Sequence, residues 1–218
     1  MLFIVATPIG NYGDITLRAL DTLIKADAVI CEEFREGSTL LKKLNIEGKS
    51  LLILNEHTEK ENSEEILPLL LSGKKLALIS DCGTPGFADP GTYLIQRCLE
   101  LGIPVKSIPG ASSLIAAISL SPLPLNEFHF AGFLPRKENE RKLKINQLRT
   151  INTPIILMDT PYRLGKLLDE INENFGNNKL VTLALDLTME HEFLFHGQIK
   201  DVKSQVKNRK GEFILIVH

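Results

Sequence analysis

Three short stretches in the first half of the chain combine residue types that suit the binding of a polar small molecule. They are ATPIGNYGD at 6–14, SDCGTPGFADPG at 80–91 and PGASS at 109–113. Glycine lets the backbone approach a ligand closely, and proline stiffens the turn that holds it. Because a plain strand-to-helix connection needs only about two to six residues, the density of Gly and Pro in 80–91 favours a ligand-binding loop.

Polar side chains in these stretches define a first candidate site. Asp81 suits a hydroxyl or an amine, whereas Thr84, Ser112 and Ser113 offer hydroxyl groups. Backbone amides at the start of a helix near 112 suit a carboxylate. Taken singly, Asp81 fits a loop-stabilising role equally well, and either serine fits a helix N-cap. Their shared position after strands of one sheet favours a site.

The sequence lacks the common phosphate-binding fingerprints. Neither G-x-x-x-x-G-K-[ST] nor a G-x-G-x-x-G after a strand is present, which disfavours NTP hydrolysis and ordinary dinucleotide binding. The histidines share no metal-ligand spacing, so we expect no metal; they are His57, His129, His191, His196 and His218.

A second polar group, CEEFRE at 31–36, also follows a strand pattern. Glu32, Glu33 and Arg35 fit a polar site at the mouth of a crevice. They fit a solvated loop with a local ion pair equally well, and such a pair contributes little stability. The sequence leaves these two alternatives about even.

A third group is the basic run LPRKENERKLK at 134–144. An exposed amphipathic helix is the default interpretation of such a run. The alternative is a patch that contacts phosphates, to which Arg163 would add another guanidinium. The basic residues of this region are Arg136, Lys137, Arg141, Lys142, Lys144 and Arg149.

Alternating strand and helix patterns position the first two groups. Strand patterns occur at 2–6, 28–31, 51–54, 75–80 and 105–108, with helical patterns at 14–25, 36–45, 60–72, 92–101 and 111–120. This alternation predicts a mostly parallel five-stranded sheet with helices on both faces, in which ligands bind beyond the carboxyl ends of the strands.

The second half has a different pattern after the proline-containing stretch SPLPLNEF at 121–128. Strand patterns occur at 128–133, 154–159, 180–185, 192–199 and 211–217, with helical patterns at 137–149, 163–174 and 200–208. These indicate a mixed sheet with helices. We therefore predict two α/β domains, 1–122 and 123–218, with a cleft between them.

Composition excludes several classes of protein. The net charge of −2 and the absence of Trp argue against a global nucleic-acid surface or a platform of exposed rings. No apolar stretch approaches the roughly 20 residues that cross a bilayer, so no membrane association is expected. The odd number of widely spaced cysteines, Cys31, Cys82 and Cys98, favours a reducing, cytoplasmic location.

Taken together, the motifs resemble the tetrapyrrole methylase superfamily over essentially the whole chain. Within it they are most like the family of small-subunit ribosomal RNA cytidine 2′-O-methyltransferases. The motifs that carry the resemblance are VATPIGNYGDITLRAL, LISDCGTPGFADPG, SIPGASS, FHFAGFLPRK, DTPYRL and KGEFILIV.

The resemblance implies a methyltransferase that uses S-adenosylmethionine (SAM), with the cofactor in a cleft between two α/β domains and commonly a homodimer. It places the cofactor against Thr7, Pro8, Ile9, Gly10, Asp81, Cys82, Gly83, Thr84, Ser112, Ser113, Met158, Ala184, Leu185 and Gly211. A cofactor without phosphate is consistent with the missing phosphate motifs.

Several positions depart from the family pattern. The usual EDTR is EEFR at 32–35, ESPHR is DTPYR at 159–163, RELT is LDLT at 185–188 and DAG is DCG at 81–83. We also expect this member to be without the C-terminal extension that usually follows in the family. The cofactor residues are better preserved than those expected to face the substrate.

For ribose methylation we expect a carboxylate to accept the proton of the 2′-hydroxyl, with Glu33 as the first candidate and Glu32 as the alternative. Residues expected to contact RNA phosphates are Arg35, Arg136, Lys137, Arg141 and Arg163. Two alternatives stay open: a methyltransferase of the same fold acting on a tetrapyrrole or other small acceptor, and a non-catalytic SAM-binding homologue.

Overall fold

The computed structural model describes residues 1–86, 89–206 and 209–218, so 87–88 of the glycine-rich loop and 207–208 of the predicted helix at 200–208 lie outside the described residues. The described residues form two compact units, Met1–Ser112 (unit 1) and Ser113–His218 (unit 2). The domain boundary at 122/123 stays a prediction.

Unit 1 contains the predicted parallel sheet. Its strands are β1 (Leu2–Val5), β2 (Ala28–Cys31), β3 (Ser50–Ile53), β4 (Leu76–Leu78) and β5 (Val105–Ile108). They lie in the order β3-β2-β4-β1-β5, and all four pairings are parallel. Consequently the loops after β2, β4, β1 and β5, which are consecutive in the sheet, leave from the same edge.

Helices cover both faces of this sheet, as the alternating strand pattern requires. They are α1 (Leu17–Lys25), α2 (Phe34–Lys43), α3 (Glu59–Leu71) and α4 (Thr92–Glu100). Leu76 and Leu78 of β4 pack with residues of α3 and α4, whereas Ala77 between them packs with residues of α1 and α2. Helix α1 starts later than predicted because the Thr16 side chain accepts a hydrogen bond from the Ala19 N–H and caps it.

Unit 2 contains the predicted mixed sheet. Its strands are β6 (His129–Phe133), β7 (Ile155–Asp159), β8 (Leu180–Leu185), β9 (Phe193–Gln198) and β10 (Phe213–Val217), in the order β6-β7-β10-β8-β9. Only β6 and β7 pair in parallel, and the other three pairings are antiparallel. Because β10 runs against both neighbours, its first residues lie beside the last residues of β7 and β8.

The helices of unit 2 are α5 (Ser113–Ser119), α6 (Glu138–Leu148), α7 (Leu164–Phe175) and α8 (Ile199–Gln205). Apolar residues of α6, α7 and α8 form one core with Leu157, Leu183 and Leu215 of the central strands. Within the described ranges no helix is both long and apolar enough to cross a membrane.

Candidate functional site

Hydrogen bonds join three loops at the carboxyl edge of the unit 1 sheet. The Thr7 N–H donates to the Gly83 carbonyl over 2.7 Å. The Thr7 hydroxyl lies 3.3 Å from the Ser80 carbonyl and 3.2 Å from that of Gly83. On the other side, the Thr84 hydroxyl donates to the Ala111 carbonyl over 2.9 Å. The loops after β1, β4 and β5 therefore hold one another in place, and we call them, with Glu32 and Glu33, the unit 1 edge.

Gly83 is at the centre of the unit 1 edge, and its position requires glycine. Its φ of +85° lies in the left-handed region, and a Cβ there would be 3.2 Å from Ile9 Cγ2 and 3.6 Å from the Ala111 carbonyl oxygen. The Cys82 thiol lies 3.6 Å from the Ile9 carbonyl oxygen. The glycine thus allows close packing of the loops on one another.

The predicted cofactor residues of unit 1 differ in exposure. Pro8, Ile9 and Gly83 are buried, so they support the loops and have little surface open to a ligand. The residues that reach solvent are Asp81, Cys82 and Thr84, with Gly10 and Ser112 half-buried; Ser113, the first residue of unit 2, is half-buried as well. Helix α5 has only seven residues and is shorter than the predicted 111–120.

Carboxylates concentrate at the unit 1 edge. Burial raises the pKa of the Glu32 carboxyl, and the charges of Asp81, Asp89 and Glu33 raise it further. Partial burial also raises the pKa of Asp81, although a hydrogen bond with the Glu33 backbone acts in the opposite direction. Burial raises the pKa of the Cys31 thiol to about 11, and the charges of the same neighbours, Asp81 and Glu33, contribute to this increase. The unit 1 edge is therefore acidic and suits a cationic ligand.

Glu32 and Glu33 are not equivalent. Glu32 is half-buried at the end of β2, whereas Glu33 is exposed and forms the N-cap of α2 with its backbone. Arg35 is exposed in the first turn of α2. Half-buried Glu32 therefore feels the charge of Asp81, whereas Arg35 faces solvent.

The predicted cofactor residues of unit 2 also meet at one sheet edge. Ile214 of β10 pairs with Met158 of β7 and with Ala184 of β8. Paired residues point to the same face, so Met158 and Ala184 flank Ile214 on one face of the sheet. Leu185 points to the other face, where it belongs to the core, so only its backbone is available at the edge.

The carboxylate of Asp186 packs so closely against Gly211 that only glycine fits there. The sequence analysis assigned Asp186 to no site. A Cβ on Gly211 would lie 2.2 Å from both carboxylate oxygens of Asp186. Asp186 is buried, has a φ of +47°, accepts a hydrogen bond from the Glu212 N–H and lies 3.1 Å from His191 Nε2. The only signal for this arrangement in the sequence was the departure from RELT at 185–188.

Arg141 is not placed to contact phosphate, contrary to the sequence-based expectation. Its side chain is about as buried as any in the protein, at 1% exposure. Its Nε donates to both carboxylate oxygens of Glu170, at 2.9 and 2.8 Å, and its Nη1 donates to Asp159 over 2.9 Å. This buried ion cluster anchors the end of β7, because helix periodicity turns Arg141 inward with Ile145 and Leu148.

The remaining basic residues of the predicted patch are exposed but partly neutralised. Arg136 and Lys137 face solvent. Lys137 lies 3.1 Å from Glu140, and Lys142 lies 2.8 Å from Glu138, so α6 is mostly a solvated helix with ion pairs of its own. Arg163 is half-buried and its Nη1 lies 3.7 Å from Asp159.

Two cation–aromatic pairs were missed by the sequence analysis. They lie at the edge of the unit 2 sheet where β7 and β8 end and β9 and β10 begin, which we call the unit 2 edge. Lys210 Nζ lies 5.6 Å from the centre of the Tyr162 ring, and the Arg209 guanidinium lies 4.1 Å from that of Phe193. Tyr162 lies in the motif DTPYRL, and its partner Lys210 is distant in sequence, so no local pattern indicates the pair. Among the described residues no group of three metal-binding side chains is present.

Comparisons with known proteins indicate which family the chain is similar to. Residues 1–203 match the family described as Tetrapyrrole (Corrin/Porphyrin) Methylases. A Thermotoga maritima protein named ribosomal RNA small subunit methyltransferase I is 40% identical, with 99% of this chain and 97% of that protein covered. A protein of the same name from Vibrio cholerae is 36% identical, with 100% and 77% covered.

The fold is similar to that of solved structures as well. The crystal structure of diphthine synthase matches with a TM-score of 0.76 and 16% identity, covering 99% of this chain and 88% of that one. At that identity the match concerns the fold alone.

Proposed function

The chain belongs to the tetrapyrrole (corrin/porphyrin) methylase family and is a SAM-dependent methyltransferase, and we propose that it methylates the ribose 2′-hydroxyl of a cytidine in small-subunit ribosomal RNA. The choice of acceptor is supported by the two relatives named ribosomal RNA small subunit methyltransferase I, which are 40% and 36% identical over almost the whole chain.

The observation that carries the cofactor assignment is the acidic unit 1 edge. SAM bears a sulfonium and an ammonium cation, and the placement of a positive charge here is supported by the carboxyls of Glu32 and Asp81, whose pKa values are raised first by burial and then by acidic neighbours. The hydroxyl of Thr84 and the backbone of the loop at Thr7–Gly10 add uncharged hydrogen-bonding groups. This donor set suits SAM, and we propose that Met158, Ala184 and Gly211 contribute further contacts from unit 2.

When bound, SAM supplies an electrophilic methyl group. The residues of the chain align the acceptor and keep water away from the reacting atoms. We propose Glu32 as the group that accepts the hydroxyl proton, because its half-buried position and raised pKa suit a general base better than the exposed Glu33 does. Arg35, Arg136, Lys137 and Arg163 position phosphates, whereas Arg141 is left out of this set.

Labelled-methyl transfer tests the proposal. The protein is incubated with tritiated SAM and small ribosomal subunits from cells that lack it, and the labelled nucleotide is mapped. We expect label on a cytidine ribose, strongly reduced in Glu32→Gln and unchanged in Glu47→Gln, a matched change on an exposed loop between α2 and β3. Label that enters only small metabolites would reject the RNA acceptor, and unchanged turnover of Glu32→Gln would remove that residue from catalysis.

Two further features belong to the proposal. We propose that the protein is a homodimer, as the family resemblance implies, and that it acts in the cytoplasm, where cysteine thiols stay reduced. Light scattering of the purified protein measures the first, and a mass matching one chain would contradict it.

A further inference from the structure

We propose that the surface formed by the exposed Tyr162, Arg209 and Lys210 and the half-buried Phe193 binds unpaired nucleotides of RNA, with Tyr162 as the ring on which a base stacks. We call it the unit 2 platform. The inference rests on the proposed RNA acceptor and extends it, because it names the residues of unit 2 that would read single-stranded RNA.

The sheet topology brings these four residues to one edge. Tyr162 follows the end of β7, Arg209 and Lys210 precede the start of β10, and Phe193 begins β9. Since β10 lies beside β7, with β8 and then β9 beyond it, the short segment at 209–210 reaches a ring on either side. Strands β7 and β9 are three strand spacings apart, roughly 14 Å, so the two cation–aromatic pairs mark the ends of an extended surface.

The exposure of Tyr162 is the observation that points to a ligand. The side chain is 84% exposed, although Lys210 lies over its ring at 5.6 Å. Packing therefore does not account for the ring, and most of its surface is open to solvent. Aromatic rings beside cations are the usual means by which proteins hold unpaired nucleotides, since the ring stacks on a base and the cation meets the phosphate.

The local charge suits a polyanion. The carboxylates of Asp159 and Asp186 at this edge are buried; Asp159 pairs with Arg141, and His191 Nε2 lies 3.1 Å from Asp186. Arg209 and Lys210 are exposed beside the two rings, and the exposed carboxylates of Glu192 and Glu212 lie at the ends of the same strands. The two cations next to the rings can meet phosphates there even though the net charge of the chain is −2.

A matched pair in unit 1 provides the control. Lys60 lies over the Tyr93 ring at 5.9 Å, but the Tyr93 hydroxyl donates to Glu64, which also pairs with Arg97. This pair has the same chemistry in an acidic setting. We expect Tyr93→Ala and Lys60→Ala to leave RNA binding unchanged.

The test is fluorescence anisotropy with a fluorescein-labelled single-stranded RNA of about 12 nucleotides at several salt concentrations. We expect Tyr162→Ala to raise Kd about 5- to 150-fold, the factor for loss of one base–aromatic stack, and Tyr162→Phe to stay within about twofold of wild type. Lys210→Ala should lower the slope of log Kd against log salt concentration by about one. Circular dichroism checks that each variant is folded.

Several results would overturn the platform: no binding of the RNA by the wild-type protein, wild-type affinity in Tyr162→Ala, or an equal loss in Tyr93→Ala. The methyl-transfer assay separates this failure from failure of the proposed function. If Tyr162→Ala methylated ribosomal RNA with the same KM for RNA as the wild-type protein, the platform would be rejected and the proposed function would stand. RNA binding that depends on Tyr162 without any methyl transfer to ribosomal RNA would support the platform and reject the acceptor.

Discussion

The strand-end edges of the two units are built by different means. In unit 1 the loops are held by backbone and hydroxyl hydrogen bonds that converge on the Gly83 carbonyl, and the exposed groups are acidic. In unit 2 the edge is held by charged side chains, with Arg141 between Asp159 and Glu170, and its exposed groups include the Tyr162 ring with Lys210 over it, besides the exposed Glu192 and Glu212. The first edge suits a cationic cofactor and the second suits a polyanion.

The largest effect should come from breaking the ion cluster of unit 2. Arg141→Ala leaves the carboxylate of Asp159, which is 2% exposed, with only the more distant Arg163 at 3.7 Å as a cationic partner, and removing one member of such a buried pair costs about 3–5 kcal/mol. Urea unfolding should show this loss, whereas Arg136→Ala, an exposed change beside the same helix, should stay within about 0.5 kcal/mol. Equal stabilities of the two variants would mean that the cluster does not hold the edge.

A smaller loss is expected from the corresponding change in unit 1. Thr7→Val keeps the shape of the side chain but removes the hydroxyl that reaches the Ser80 and Gly83 carbonyls. We expect a cost of about 1–2 kcal/mol in thermal or urea unfolding, because a buried acceptor loses its donor. Thr39→Val on α2 is the matched control and should have little effect. If Thr7→Val lost as much stability as Arg141→Ala, the two edges would not differ in how strongly they are held.

The pH dependence of stability sharpens the comparison. In unit 2, burial and the neighbouring His196 lower the pKa of His218 from 6.5 to about 4. The unfolded chain then binds more protons between these values, so the free energy of unfolding should fall as the pH drops from 6.5 towards 4. We expect a loss of about 1–2 kcal/mol, less than the full shift implies because the half-buried ring is partly screened by water.

His218→Gln should flatten this part of the stability curve, and His57→Gln, at an exposed loop position, should not. A slope that persists in His218→Gln would place the titrating group elsewhere.

The smallest effect is expected at Glu32. Its raised folded pKa means that stability is lost as the pH rises from 4.5 through that raised value, because the charged form is disfavoured in the fold. Glu32→Gln should therefore raise the melting temperature of the cofactor-free protein slightly at neutral pH while it reduces methyl transfer. A lower melting temperature would show that the charge stabilises the fold instead.

The same contrast explains which features could be predicted from sequence. The parallel and mixed sheets follow from local strand patterns, and the unit 1 edge follows from Gly, Pro and Thr residues, whose effect on the backbone is local. Arg141 was assigned to the wrong role because its partners Asp159 and Glu170 are distant in sequence and appear only after folding. Asp186 with Gly211, and Tyr162 with Lys210, were missed for the same reason.

The central claim, that the acidic edge serves the cofactor and the basic aromatic edge serves RNA, is tested most directly by measuring both affinities in two variants. Calorimetry with SAM and anisotropy with the labelled RNA are applied to Asp81→Asn and Tyr162→Ala. We predict that Asp81→Asn weakens SAM binding about tenfold and leaves RNA binding within about twofold, and that Tyr162→Ala does the reverse. Equal losses of both ligands in either variant, or the opposite pairing, would contradict the account.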